Sequence, residues 1–407
     1  MQGAALTMSE RKDKRLIDRV RDSALSMQVG GPEDGGVSMM IDMGSALYAV
    51  KERAIYVVQL ADHVDPERTN VVVPNTQQRI LSMGTHDPEV ARIFLTACAM
   101  FKSMHLGKDF PEGKARSLAF GYLRDIAAMM EMHSALVAAI EQAVAGFNEV
   151  VATDRSVTLP SLGNAEERCN AFAQQVGHGI DTLKAIARLF YPKELSKKWI
   201  DSLTSLAAQK YGEEEPLTRF MRETRGNLLF MREMRNMIEH PQEDAYVKVH
   251  DFQLSPSMEL VAPSVDIVRR GEVPITGQLT SLMAQVTEDL VSIGEMFMAL
   301  LCGANAKSFS GFPLVVVEVP LSRRPEWNPH QRISSGIVMN GEVQPLGQRR
   351  WCDSFRLVRN WETLNRIGMR TRKYVAMTAS QFKNRLIEGA KAINSQAQER
   401  QRLSSEP

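Results

Sequence analysis

Two prolines frame the most informative stretch of this chain. Pro216 suits the first turn of a helix, where its missing N–H has no intrahelical partner to lose. Pro241 disfavours helical backbone in the residue before it, so the helix is expected to end at His240. Between them Leu217, Met221, Leu228, Met231 and Ile238 form an apolar stripe at helical spacing. Similar punctuation recurs. Asn164 with Glu167 reads as a capping pair for a helix that runs to Phe190 and is stopped by Pro192. Further helices are expected at about Lys193–Tyr211 and Gln278–Cys302. Aromatic residues make up 6% of the chain and Met numbers 23, which suits helix packing better than a β-sandwich. The expected fold is mainly α: a helical bundle with an N-terminal helical region and a small α/β C-terminal part.

Three regions follow: 1–155, 156–305 and 306–407. In the first, Met43, Leu47, Val50, Ala54, Val57 and Val58 recur at helical spacing, followed by helical stretches near Val90–Met104 and Lys114–Val151. The boundary falls where VTLPSLG breaks the pattern. In the second, Tyr246–Leu254 and Met258–Val268 are extended runs able to pair as a hairpin. In the third, LVVVEV at Leu314–Val319 reads as a strand, and Asn340–Gly341 is a turn signal inside Ile337–Val343. No internal repeat is visible.

Lys and Arg total 49 against 48 Asp and Glu, so bulk charge does not drive the chain onto nucleic acid or membrane. The four cysteines contain no CxxC pair and fit free thiols in a reducing compartment. The first residues, MQGAALTMSERKDKR, lack the apolar run of a secretory signal, and no long uncharged apolar stretch suggests a span. A cytoplasmic protein with no membrane contact is expected. There is no GxxxxGK[ST] loop and no GxSxG elbow. The histidines outside the 216–241 helix show no metal spacing, and Asp62, His63 and Asp65 are a chance-level cluster, so neither metal nor cofactor is expected.

Chemistry concentrates at the end of the Pro216–Pro241 helix. Arg235, Asn236 and His240 form the pattern R-N-x-x-x-H, with Asn236 and His240 four apart on one face. The helix macrodipole at that end favours a protonated imidazole. A positive Arg, a titratable His and an amide suit phosphodiester cleavage: the His moves a proton, the Arg stabilises charge on phosphate, and the Asn orients either. Arg79…His86 and Arg324…His330 have looser spacing, and Gly84 or Pro325 and Pro329 interrupt them. The plainer readings are an i,i+4 ion pair of Arg235 with Glu239 and a His240 that bonds the last helical carbonyls.

The segment MREMRNMIEHP resembles the signature of the HEPN superfamily (higher eukaryotes and prokaryotes nucleotide-binding domains). The resemblance spans about residues 160–302. It implies a helical bundle that homodimerises so that two motifs face one cleft. It also implies a metal-independent endoribonuclease in a microbial defence or toxin system, leaving 2′,3′-cyclic phosphate and 5′-OH ends. On that resemblance Arg235 and His240 are the catalytic pair and Asn236 supports them. Members paired with a nucleotidyltransferase antitoxin often carry Tyr two residues after the His; here Gln242 stands there, which argues against that partner. An antitoxin or regulatory partner of another kind would find its contact in residues 1–155. The alternative is a non-catalytic HEPN-like dimerisation or RNA-binding protein.

Two basic groups are candidate RNA contacts. Arg225 and Arg232 lie two turns apart on the motif helix, near Arg222, and alternatively form a solvated face paired with acidic neighbours. Between Arg349 and Tyr374 basic and aromatic residues interleave, including Arg356, Arg359 and Trp361, as single-stranded RNA binding uses. The plainer reading there is a helix whose core face is aromatic and whose wet face is basic.

Overall fold

A computed structural model describes residues 15–345, apart from 24–27, 45, 146, 148–156, 309–311 and 340–341. About 51% of the described residues are helical and 18% lie in strands of several small antiparallel sheets. The fold is therefore mixed α/β, which corrects the expectation of a mainly α bundle.

The correction comes first from the N-terminal region. After the short helix α1 (Leu16–Ser23), residues expected to be helical form a four-stranded antiparallel meander. Its strands are β1 (Val37–Asp42), β2 (Leu47–Lys51), β3 (Ile55–Gln59) and β4 (Thr76–Leu81). Met43 follows β1, Leu47 and Val50 lie on β2, Ala54 is in the turn, and Val57 and Val58 lie on β3. Their apparent helical spacing is a by-product of strands of five or six residues joined by tight turns. In the β2–β3 turn Lys51 N–H donates to the Ala54 carbonyl at 2.8 Å. The β-branched and aromatic content of these strands matches the pleated backbone they adopt. The sheet is covered on both faces. Ile41, Val50 and Ile55 join the main core, while Ala49, Tyr56 and Val58 gather with Val29 on the other side.

A one-turn helix α2 (Ala61–Val64) precedes β4, and a fully buried π-helical turn at Val90–Leu95 leads into α3 (Thr96–Met100) and α4 (Ser103–Leu106). The long helices follow: α5 (Glu112–Ala145), α6 (Ala165–Phe190), α7 (Trp199–Tyr211) and α8 (Pro216–Glu239). Asn164 does precede α6, but its side chain makes no cap; its Oδ1 instead accepts from Arg168 Nε at 2.8 Å. Strands β5 (Tyr246–His250), β8 (Ser264–Val268) and β9 (Ile275–Gln278) form one antiparallel sheet, and β6 (Gln253–Leu254) and β7 (Leu260–Val261) make a small hairpin at its tip. Helix α9 (Leu279–Asn305) then crosses the centre, and β10 (Leu314–Glu318), β11 (Ile333–Met339) and β12 (Glu342–Pro345) form the last sheet.

The core of α9 explains how these parts hold together. Residues 290–302 are buried all round, so this stretch touches neighbours on every side. Tyr122 of α5 donates its hydroxyl to the Leu290 carbonyl at 2.6 Å, and its ring lies over Gly294, where a Cβ would sit 2.3 Å from it. Glu295, fully buried, accepts from Arg92 Nε at 2.8 Å, and Arg332 approaches it at 3.4 Å. One apolar cluster runs from Ile41 in the first sheet to Ile333 in the last. Burying each of its large side chains contributes about 1.5–3 kcal/mol before ordering costs are set against it.

Candidate active site

Helix α8 presents its motif by the way it is anchored. Leu217, Met221, Leu228, Met231, Met234 and Met237 are buried, and this leaves Arg222, Arg225, Arg232, Glu233 and Asn236 on the wet side. The last turn closes when His240 N–H donates to the Asn236 carbonyl at 2.8 Å. Pro241 ends the helix, and a bridge between Gln242 and Ala245 turns the chain into β5. His240 is exposed, and among the described residues its side chain has no hydrogen-bond partner. It does not tie down the last helical carbonyls.

Asn236 and His240 open onto a cleft of about 650 Å³. Its other wall is the β8–β9 turn, which contributes Arg269, Arg270 and Glu272. Arg269 donates to Glu233 at 2.6 Å and to Glu272 at 2.8 Å, with its guanidinium over the Phe230 ring. Arg270 grips Asp244 with two hydrogen bonds, at 2.5 and 3.0 Å. Those bonds hold the Asp244 carboxyl below the usual carboxylate range. Residues 269–272 read RRGE just after the second extended run, between β8 and β9; a basic doublet before a glycine turn is the sequence signal for this wall.

Arg235 points elsewhere. Its Nε donates to Glu239 at 3.1 Å, and its side chain packs on α6, where a Cβ on Gly177 would meet Arg235 Cδ at 2.7 Å. The Arg235 side chain is one-third exposed and that of Glu239 one-quarter, so the pair is half-buried. The structure thus brings Asn236 and His240 together and sets Arg235 on the neighbouring face.

The other candidate residues divide. Arg225 binds Asp201 of α7 at 2.6 Å, and Arg222 pairs with Glu213, so these two act as helix ties. Arg232 is exposed and has no ion pair among the described residues. Arg356, Arg359 and Trp361 lie outside the described residues. Asp62 holds Arg21 and Arg68, and Asp65 accepts from the Thr69 and Asn70 backbone. Among the described residues no group of three or more His, Cys, Asp or Glu side chains is arranged to hold a metal ion. Burial pushes the Cys98, Cys169 and Cys302 thiols up to about 12, which makes them poor nucleophiles. No helix among the described residues is long and apolar enough to cross a membrane.

The arrangement offers a free imidazole and an amide on one wall and two guanidiniums on the other. That set can move a proton beside a bound phosphate. No family model, no curated protein and no solved structure matches the chain.

Proposed function

We propose that this chain is a metal-independent endoribonuclease with His240 as its proton-transfer group. The observation that carries the reading is the shared placement of Asn236 and unpartnered His240 on an open cleft walled by Arg269 and Arg270. In the reaction a ribose 2′-oxygen attacks the adjacent phosphorus and loses its proton. The P–O5′ bond breaks, and the 5′-oxygen takes up a proton. A cyclic phosphate and a 5′-OH remain. Imidazole suits both transfers, since histidine changes charge near neutral pH. Two protomers facing each other, as the HEPN resemblance implies, would supply the base from one His240 and the acid from the other. Asn236 would orient the phosphate or the ring. Arg235 would exchange Glu239 for the phosphate. An i,i+4 pair on a helix contributes about 0.3–0.5 kcal/mol, so the ion pair itself is a small barrier to that exchange. Arg232, Arg356, Arg359 and Trp361 remain proposed RNA contacts, Arg225 would join them only by exchanging Asp201 for phosphate, and a cytoplasmic microbial defence or toxin system is the proposed setting.

One observation favours a second reading, a non-catalytic bundle used for assembly or RNA binding. Arg235 already has a satisfied structural role between Glu239 and α6. The deciding experiment incubates the full chain with mixed cellular RNA in EDTA, beside His240→Ala, and maps the fragment ends. The expected result is cutting that falls at least about 100-fold in the variant, with cyclic phosphate ends. No cutting, or equal cutting by both proteins, would leave the assembly reading.

A further inference from the structure

A second cleft, of about 510 Å³, lies between the start of α5 and the end of α6. Lys114 and Leu118, one turn apart on α5, face Asp181, Lys184, Arg188 and Leu189 of α6. Three cations share this space with a single carboxylate. Among the described residues Lys114, Lys184 and Arg188 make no ion pair or side-chain hydrogen bond, and neither does Asp181. Arginines elsewhere on the described helices and sheets, such as Arg92, Arg116, Arg225 and Arg269, meet carboxylates, whereas here three cations converge on one space. Lys184 and Arg188 are like charges at i,i+4, a spacing that destabilises a helix. Arg188 gains something from the negative end of α6, but Lys184 sits a turn further in. Lys114 stands in the first turn of α5, where the helix end adds positive potential. An anion in the cleft relieves the repulsion among all three.

We propose that this α5–α6 cleft binds phosphate groups, carried either by the backbone of an RNA strand or by a free nucleotide. Three positively charged side chains around a space of this size match two or three phosphate oxyanions, and Leu118 and Leu189 give sugar or base an apolar floor. The site makes no use of His240 and stands whether or not the chain cuts RNA.

Binding is measured on the full chain carrying His240→Ala, in EDTA, with two probes: a labelled 12-nucleotide single-stranded RNA and ATP. The comparison proteins are Lys184→Glu/Arg188→Glu and, as a control for general charge, Lys197→Glu. Lys184 is half-buried and Arg188 and Lys197 are exposed, so the fold should survive; circular dichroism checks it. If the double reversal unfolds, Lys184→Gln/Arg188→Gln removes the charge without adding repulsion. The expected result is that at least one probe binds and the double variant loses tenfold or more, with the control unchanged. Loss for RNA alone identifies a strand, and loss for ATP alone identifies a nucleotide. For RNA the salt slope should also flatten by about 1.4, the value for two lost phosphate contacts on a single strand. The proposal is overturned if neither probe binds, if the double variant binds like the parent, or if Lys197→Glu weakens binding equally.

Discussion

The two clefts hold opposite arrangements of charge. At the end of α8, Arg269, Arg270 and Arg235 are each tied to a carboxylate, and among the described residues the Asn236 and His240 side chains have no hydrogen-bond partner. Between α5 and α6 three cations and one carboxylate, Asp181, are without ion pairs among the described residues, and the described lining holds no imidazole or thiol. Pairing fixes side chains in place at the expense of net field, whereas unpaired cations attract anions but position them loosely. The α8 cleft is therefore built for geometry and the α5–α6 cleft for attraction. A protein that acts on a phosphate chain can use both, one to hold and the other to cut.

If pairing sets geometry, its largest effect belongs to the buried pair. Arg92 reaches Glu295 at 2.8 Å, Ser292 at 2.7 Å and Glu288 at 3.1 Å, with Glu295 fully buried. Glu295→Ala leaves Arg92 and Arg332 without their shared counter-charge and should destabilise the fold by about 3–5 kcal/mol in urea unfolding. A loss below about 1 kcal/mol would mean that pairing matters little even where water is excluded.

Next comes Arg235→Ala, which separates the two readings of the motif. As a half-buried pair with Glu239 that also packs on α6 it should cost about 0.5–2 kcal/mol of stability. As the group that meets the developing phosphate charge it should cost about 10²–10³ in cleavage rate. A cleavage rate unchanged by Arg235→Ala would shift that role to the β8–β9 wall. Smaller still is Asp244→Ala, which frees Arg270 and makes the α8 cleft resemble the other one. RNA affinity in the His240→Ala background should rise a few-fold, with a steeper salt dependence. Weaker binding would show that the Asp244–Arg270 pair acts as a unit in recognition.

How much of this could be read in advance depends on the length of the element. Helices α6, α8 and α9 were legible because each repeats its apolar spacing over many turns, and prolines mark the ends of the first two. Strands β1–β4 were not, because five or six residues cannot separate a strand from a helical turn by periodicity. In β2 both Ala49 and Val50 are buried, so the alternation that marks a one-sided sheet is missing. At the site, Asn236 and His240 were legible as an i,i+4 pair within one helix. Arg269 and Arg270 were not, since the expected hairpin alone does not say that its far end lies beside α8, where Arg269 meets Glu233. The direction of Arg235 depends on Gly177 of another helix and is likewise a tertiary fact.

The smallest expected effect tests the charge contrast inside the α5–α6 pair itself. Away from its cationic cleft, the same interface holds Asp125, which has no salt bridge among the described residues; Gln175 donates to it at 2.7 Å and Thr182 at 3.1 Å. Burial raises the Asp125 carboxyl above the usual carboxylate range, and those hydrogen bonds oppose the rise only in part. The folded state therefore holds this proton more tightly than the unfolded state does. Its contribution to stability is greatest at low pH and falls as pH rises from the ordinary carboxylate range through the raised folded value. Asp125→Asn removes that slope and keeps both contacts, because the amide oxygen accepts from Gln175 and the amide N–H donates to the Thr182 hydroxyl. Urea unfolding of both proteins near pH 4 and near pH 7 should show the variant gaining on the wild type as pH rises. A flat difference would mean that Asp125 does not feel its burial. A difference of opposite sign would mean that a cation reaches it, and the two halves of the interface would then be alike.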